Sequence, residues 1–211
     1  QFQHATNMSD SYSALGAMNS TAGGARDRCM RAFLDRWGGD NNVVVKYFML
    51  ESATDVEGNA ARLRAIVDCA VRDRSSVADR NGGGGVGGRD DGADGAGSSV
   101  GRVARSFDVT IPNHVYALCR AFPASYVNFH AEDGSGYRLL ADWIVQVDAL
   151  NAQVGSRLAG PFTKWLSYDK GRRELIRGEL ERILAVESLS PNTREIVGKS
   201  LAQGGGGASK L

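Results

Sequence analysis

The chain has 211 residues, a formal net charge of +1 and 42% hydrophobic residues. This length allows one domain with a hydrophobic core or a row of stacked helices, and the near-neutral charge gives no field that would favour nucleic acid or a membrane surface as the partner. No apolar run approaches the ~20 residues that a membrane-spanning helix requires. No signal peptide is visible, and three widely separated cysteines read as reduced thiols, so we expect a cytoplasmic protein.

Apolar residues recur at helical spacing in three consecutive segments of the first third, namely 25–37, 42–53 and 58–73. A shorter helical pattern precedes them, for which Ser9 or Asp10 is the predicted cap. The loops between these segments are short, so helices adjacent in sequence are expected to pack antiparallel.

Residues 79–105 interrupt this pattern with a stretch of Gly, Asp, Arg and Ala. Such a segment buries too little apolar surface to offset an ordering cost of ~1–2 kcal/mol per residue, so we predict a disordered insertion. Gly83, Gly85 and Gly88 match the spacing of a dinucleotide-binding loop. Any polyglycine satisfies that spacing, and no strand pattern precedes it, so a dinucleotide site is rejected.

Helical spacing resumes after Pro112 and continues almost to the end of the chain. The predicted helices cover 137–150, 152–166 with a break at Gly160-Pro161, 170–187 and 191–202. No stretch shows sustained period-two alternation, so the predicted fold class is all-α, a solenoid of stacked helix pairs over 1–203. The glycine-rich residues 204–211 are expected to form a flexible tail.

A polar, glycine-punctuated octad separates two of the most regular helical patterns and is predicted to form a structural turn. Its members singled out for that role are His130, Glu132, Asp133, Gly134, Ser135, Gly136 and Tyr137. His130-Ala-Glu132 matches the His-x-Glu of zinc deaminases, but the Pro-Cys-x-x-Cys of those enzymes is absent. His-Glu-x-x-His is absent too, and the chain has only three histidines, so we predict no catalytic residues, no metal site and no cofactor in this chain.

Several short motifs, in order along the chain, resemble the C-terminal part of aminopeptidase N-type zinc metallopeptidases. They include Ala32-Phe-Leu-Asp-Arg-Trp37, Pro112-Asn113, Phe129-His-Ala-Glu-Asp-Gly-Ser-Gly-Tyr137, Asn151-Ala-Gln-Val-Gly-Ser-Arg-Leu158 and Tyr168-Asp169. The string at 129–137 is the most specific of them. The resemblance covers the whole chain except the segment around 75–104.

This resemblance implies a HEAT- or armadillo-like α-solenoid that is one domain of a larger enzyme. In that family the solenoid closes over the catalytic domain and limits entry to short peptides, while the zinc and catalytic residues lie in other domains. The implied partners are therefore the catalytic and N-terminal domains and peptide substrates. The parent enzyme would use zinc to remove N-terminal residues, and this chain alone is expected to be inactive.

The same resemblance singles out two residues for substrate binding. Arg157 matches an arginine that faces the substrate, and Tyr116 occupies a position where bacterial relatives carry a second arginine. A guanidinium is permanently charged and offers a fixed fork of donors, so Arg157 is suited to peptide carbonyls or a C-terminal carboxylate. The alternatives are an ordinary surface arginine and an interdomain salt bridge.

Two other functions stay open from the sequence. A free-standing helical-repeat scaffold would bind a protein partner on its concave face. An enzyme in its own right is less well supported, because the chain lacks a recognisable set of metal ligands or a nucleophile with its base.

Overall fold

The computed structural model describes residues 1–21, 23–80 and 106–205, and every regular element within those ranges is helical. In chain order the α-helices are α1 (Met8–Ala17), α2 (Gly24–Trp37), α3 (Asn41–Ser52), α4 (Asn59–Arg80), α5 (Pro112–Val115), α6 (Tyr126–Phe129), α7 (Ser135–Leu150), α8 (Ala152–Leu158), α9 (Lys170–Leu184) and α10 (Pro191–Gly205). A π-helical turn, Tyr116–Arg120, continues α5, and 3₁₀ turns span Phe2–His4, Phe122–Ala124 and Gly160–Ser167. The predicted all-α fold is confirmed, whereas the predicted insertion at 79–105 falls mostly, and the tail at 204–211 partly, outside the described residues.

Side-chain caps fix where several helices begin. Asn7, in an extended conformation, caps α1 by accepting the backbone N–H of Asp10 at 2.9 Å. The prediction of Ser9 or Asp10 as the cap was therefore wrong, since both lie inside the helix. Asp40 caps α3 through the backbone N–H of Asn42 at 2.8 Å, which satisfies a donor that the first turn leaves unpaired.

Two helices run further than the apolar pattern indicated. Helix α4 continues from the predicted end at 73 to Arg80, because the sequence contains neither glycine nor proline until Gly82. Helix α10 continues past 202 to Gly205, where the Trp165 ring lies so close that a Cβ on Gly204 would meet it at 2.5 Å. The Trp165 indole N–H also donates to the Ser200 carbonyl at 2.8 Å, which ties the end of α10 to the preceding 3₁₀ turn.

Neighbouring helices pack in pairs, as expected for stacked helical hairpins. Helix α2 contacts α1 and α3, α8 contacts α7, and α10 contacts α9, while α4 touches α3, α6 and α7 and so links the two halves of the chain. One continuous hydrophobic cluster runs through these contacts. Met49, Leu150 and Leu175 belong to the predicted apolar stripes but are 45%, 45% and 37% exposed. The stripe residues at the margin of each helix therefore face outward.

The octad at 130–137 is divided between a turn and a helix. Gly134 has φ = +71°, the left-handed region that glycine adopts without strain, and α7 begins at the next residue. Ser135, Gly136 and Tyr137 are therefore the first turn of α7, which corrects the prediction that the whole octad is a turn. A Cβ on Gly136 would lie 2.2 Å from the carbonyl oxygen of Asn128, so only glycine allows α6 and α7 to approach this closely.

None of the described helices has the length and apolar composition needed to cross a membrane. None of the three cysteines, Cys29, Cys69 and Cys119, takes part in a disulfide bond.

Candidate functional site

The segment that carries Tyr116 is an irregular helix wedged against α3. After α5 the backbone widens into the π-helical turn Tyr116–Arg120, whose inward side chains include Leu118. In an i→i+5 pattern the Leu118 carbonyl would need the N–H of residue 123, which is a proline and has none. The buried Ser52 hydroxyl of α3 donates to that carbonyl at 2.5 Å. Pro123 therefore ends the i→i+5 pattern, and the Ser52 hydroxyl satisfies the carbonyl that the missing N–H leaves without a backbone donor.

Arg157 lies near the end of α8, and the tight turn between α7 and α8 sets its position. Asn151 caps α8 by accepting the backbone N–H groups of Gln153 and Val154. A Cβ on Gly155 would lie 2.6 Å from the Cα of Asp148, so glycine is required for α8 to fold back against α7. The exposed Arg157 side chain then projects from the short helix toward the π-helical turn.

The structure brings the two predicted substrate-binding residues together. Arg157 Nη1 donates to the Tyr116 hydroxyl at 3.1 Å, across 41 positions of sequence. Tyr116 is partly buried and Arg157 is exposed, so the pair has one anchored member and one solvent-facing member. Their proximity is an observation, whereas a role of either in binding substrate stays a prediction.

A third residue, Arg120, belongs to the same cluster and was missed by the sequence reasoning. Its guanidinium carbon lies over the Tyr116 ring, 5.8 Å from the centroid, a cation–π geometry. Among the side chains that the structure describes, those of 1–21, 23–72 and 106–204, no carboxylate forms an ion pair with Arg120 or Arg157. The i, i+4 spacing from Tyr116 was the available sequence signal. We call Tyr116, Arg120 and Arg157 the arginine–tyrosine cluster.

In the turn before α7, the His130 ring packs within a cluster of aromatic side chains. His130 Nδ1 lies 2.7 Å from the Tyr137 hydroxyl, and the imidazole also packs against the rings of Phe129, Tyr126 and Tyr168. Burial is the main cause that lowers the pKa of His130, with the positive charge of the nearby Arg172 adding to it.

The two acids of this turn differ in their contacts. Asp133 Oδ1 accepts the backbone N–H of Ser135 at 2.9 Å, and the hydrogen bonds to Ser135 lower the pKa of Asp133. Glu132 lines an open groove of ≈750 Å³ together with Tyr126, His130 and residues 167–169. The Asp133 carboxylate thus accepts the first backbone N–H of α7, and the purely structural role of this turn stays a prediction.

A metal site is not supported by the side chains that the structure describes. Among the described residues no three His, Cys, Asp or Glu side chains gather closely enough to hold an ion. The zinc that the resemblance implies for the parent enzyme therefore does not fit this part of the chain, and no catalytic step is assigned to it here.

The fold is shared with a solved aminopeptidase structure. Aminopeptidase A of Legionella pneumophila, in its complex with aspartic acid, superposes with a TM-score of 0.71 at 23% identity over 96% of this chain and 20% of that one. At 23% identity, this similarity is evidence that the two chains share a fold.

Curated relatives extend the match to sequence. Aminopeptidase N of Escherichia coli is 29% identical over 203 residues, which are 96% of this chain and 19% of the relative. Aminopeptidase N of Caulobacter vibrioides is 40% identical over 97 residues, which are 45% of this chain and 11% of the relative. Aminopeptidase N of Haemophilus influenzae is 25% identical over 95% of this chain and 19% of its own length. The chain thus spans about a fifth of the relatives that it matches along its length.

The family described as "Domain of unknown function (DUF3458_C) ARM repeats" matches residues 1–70 and 102–202. The resemblance to aminopeptidase N predicted from the motifs is thereby confirmed. With most of its length matched, and with a structure of stacked helices in the described ranges, the chain belongs to this family of ARM-repeat domains.

Proposed function

We propose that this chain is the C-terminal, non-catalytic domain of an aminopeptidase, and that it closes over the catalytic part and restricts which peptides enter. The alignment with aminopeptidase N across nearly the whole chain carries this proposal. The parent enzyme would remove N-terminal residues from peptides, with its zinc held by residues outside the part described here. That none of the three cysteines is in a disulfide supports a cytoplasmic, reducing location.

In this proposal the arginine–tyrosine cluster faces the peptide. The Arg157 guanidinium donates charge-assisted hydrogen bonds to peptide carbonyls or to the C-terminal carboxylate, and the Tyr116 hydroxyl holds it in place. Only peptides long enough to extend from the catalytic centre to this domain would gain from the contact.

The Gly-rich stretch at 79–105 is, in the same proposal, an insertion that the repeat tolerates. The match to the family stops at residue 70, within α4, and resumes at residue 102, ahead of α5, which supports an insertion in this stretch.

Replacing Arg157 tests this function in the full-length parent enzyme. We expect Arg157→Ala to raise KM for tri- and tetrapeptides about tenfold, the size of one lost charge-assisted hydrogen bond, and to leave KM for an alanyl fluorogenic substrate unchanged. The matched control is Arg177→Ala, an exposed arginine of α9 paired with Glu181. Unchanged KM for tri- and tetrapeptides would exclude the role of Arg157.

The domain assignment has its own test. The 211-residue chain is assayed for aminopeptidase activity alone and after mixing with a purified catalytic part. We expect no activity alone and binding on mixing. Chelator-sensitive activity of the chain by itself would contradict a non-catalytic domain.

A helical-repeat scaffold for a separate protein partner is the second candidate. Tyr126 is 67% exposed and Val127 is 54% exposed beside the groove at His130, a pattern that fits a protein contact. Failure of the chain to bind the catalytic part would favour this alternative.

A further inference from the structure

Helix α6 and the turn after it form an exposed apolar ridge between two open grooves. Tyr126 and Val127 are the most exposed of the large hydrophobic side chains that the structure describes. One groove, of ≈750 Å³, lies on the side of His130, and the other, of ≈650 Å³, lies on the side of α4 and α7. Val127, Ala131 and Glu132 line both grooves. We call Tyr126, Val127, Ala131 and Glu132 the α6 ridge.

The α6 ridge is fixed to the loop between α3 and α4. The buried Asn128 side chain donates to the Thr54 carbonyl at 3.3 Å and to the Val56 carbonyl at 3.0 Å. The buried Ser125 hydroxyl donates to the same Thr54 carbonyl at 2.7 Å. Because these contacts already fix the backbone of α6, a partner that covers the ridge does not have to order it, and the entropic cost of binding is lower.

The charges around the ridge are unbalanced toward the negative. Each arginine that lines either groove has a carboxylate nearby, namely Arg172 with Asp169 at 2.7 Å, Arg64 with Asp142 at 2.8 Å and Arg138 with Glu179 at 3.6 Å. Glu57 and Glu132 are exposed and form no ion pair with any side chain of 1–21, 23–72 and 106–204. Burial lowers the pKa of His130, so its ring adds no positive charge at neutral pH. The ridge therefore combines apolar surface with uncompensated negative charge.

The Tyr126 ring also favours a cation. It lies parallel to the His130 ring, with an angle of 10° and centroids 6.1 Å apart, so His130 covers one of its faces. Most of the Tyr126 side chain is exposed, and among the side chains described in the structure no arginine or lysine lies over the ring. A guanidinium or ammonium group over the open face gains a cation–π contact and lies in the same groove as the Glu132 carboxylate.

The length of the relatives indicates what covers the ridge. This chain spans about a fifth of the aminopeptidases that it matches along its length, so most of such an enzyme lies outside it. Exposed apolar surface with a polar rim is typical of a protein contact. A rigid ridge of this kind is what a domain exposes when the rest of its protein is absent.

We propose that this domain docks through the α6 ridge against the catalytic part of its parent enzyme, which inserts an arginine or lysine between the Tyr126 ring and the Glu132 carboxylate and an apolar side chain over Val127. This inference rests on the proposed function for the identity of the partner. The ridge shares no residue with the arginine–tyrosine cluster, so substitutions separate the two surfaces.

Isothermal titration of the 211-residue chain with the purified catalytic part tests the aromatic contact. We expect Tyr126→Leu to weaken binding about tenfold, because leucine keeps apolar area and loses the ring face. Tyr126→Phe keeps that face and should bind as the unchanged chain does. Leu150→Ala is the control, since Leu150 is an exposed leucine that lines neither groove.

Glu132→Lys tests the charge in the same assay. We expect binding about tenfold weaker in about 50 mM NaCl and a much smaller loss in about 1 M NaCl, because salt screens exposed charges. Glu187→Lys is the matched control, since Glu187 is an exposed glutamate that lines neither groove. Circular dichroism of each variant establishes that it is folded.

The two proposals fail in different ways. If the unchanged chain does not bind the catalytic part, the proposed function falls and this inference falls with it. If the chain binds but Tyr126→Leu and Glu132→Lys bind equally well, only this inference is overturned, and the ridge is left to a separate protein partner. Hydrogen exchange in the full-length parent repeats the test without separating the domains. We expect slower exchange over 126–132 than in the chain alone, and equal exchange would overturn the inference.

Discussion

Helices α1–α4 enclose a buried ionic network. In the region from Phe122 to α10 the ion pairs are partly exposed, and the buried contacts are mainly aromatic and aliphatic. In the first half, Glu51 is 0% exposed and its Oε1 is 2.8 Å from Arg62 Nη2, while its Oε2 is 3.4 Å from Arg26 Nη2. Tyr47 donates to Glu51 at 2.5 Å, and burial together with the Glu51 charge raises the pKa of Tyr47. Arg26 also donates to Thr54 at 2.5 Å.

The second half uses a different arrangement. The rings of Phe122 and Trp143 meet at 5.4 Å and those of Phe129 and Tyr137 at 5.1 Å, both edge to face. Asp148, a buried carboxylate of this half, accepts three hydrogen bonds from uncharged donors of Ser190 and Thr193 at the start of α10. The first half is thus sensitive to loss of a charge, and the second to a change of volume.

The largest loss of stability is expected at Gly136, where α7 packs closely against α6. Gly136→Ala places a Cβ 2.2 Å from the Asn128 carbonyl, and we expect the free energy of unfolding to fall by about 4 kcal/mol because the backbone must move. Urea denaturation measures the change. Gly178→Ala is the matched control, since no atom lies within 4 Å of its added Cβ and alanine favours a helix by about 0.5–1 kcal/mol. Equal effects of the two changes would contradict close packing at α7.

Glu51→Gln tests the first half and has the next largest effect. The amide keeps the shape but leaves the charges of Arg26 and Arg62 without their buried partner, so we expect a loss of about 3 kcal/mol in urea denaturation. Glu195→Gln removes an exposed partner of Lys199 and should leave the midpoint unchanged. A midpoint for Glu51→Gln that equals this control would show that the ionic network does not hold the first half.

The smallest effect is expected from two histidines, His114 in α5 and His130 in the turn before α7. His114 Nδ1 accepts the backbone N–H of Asp108 at 3.0 Å, which leaves Nε2 to donate to Asn41, so the ring is neutral in the folded state. Burial lowers the pKa of both His114 and His130. The unfolded chain therefore takes up protons more readily, and stability is complete above about pH 6.5 and falls as the pH drops below it.

Melting temperatures measured between about pH 7.5 and about pH 5.5 check this, with His114→Gln and His130→Gln each reducing the slope. We expect His114→Gln to reduce the slope more than His130→Gln, because the His114 ring bonds both to the Asp108 backbone N–H and to the Asn41 side chain. A melting temperature that rises toward acidic pH would contradict neutral histidines in the folded protein.

Local sequence signals predicted much of the fold. Periodicity indicated most of the helices, Asp40 and Asp169 cap the helices predicted for them, and Gly160-Pro161 marks the change from α8 to a 3₁₀ turn. These features depend on residues within one or two helical turns of each other, so they can be predicted from the local sequence.

Local sequence patterns could not predict the arginine–tyrosine cluster or the buried ionic network. The sequence, through its resemblance to a family, nominated Arg157 and Tyr116, but only the fold placed them 3.1 Å apart and set Arg120 on the same ring. Glu51 looked like one more charge on a helix, yet packing of α2 and α4 around α3 buried it completely. Which face of a helix is covered depends on partners distant in sequence, so tertiary packing decides where charges meet, while the sequence alone decides where helices begin and break.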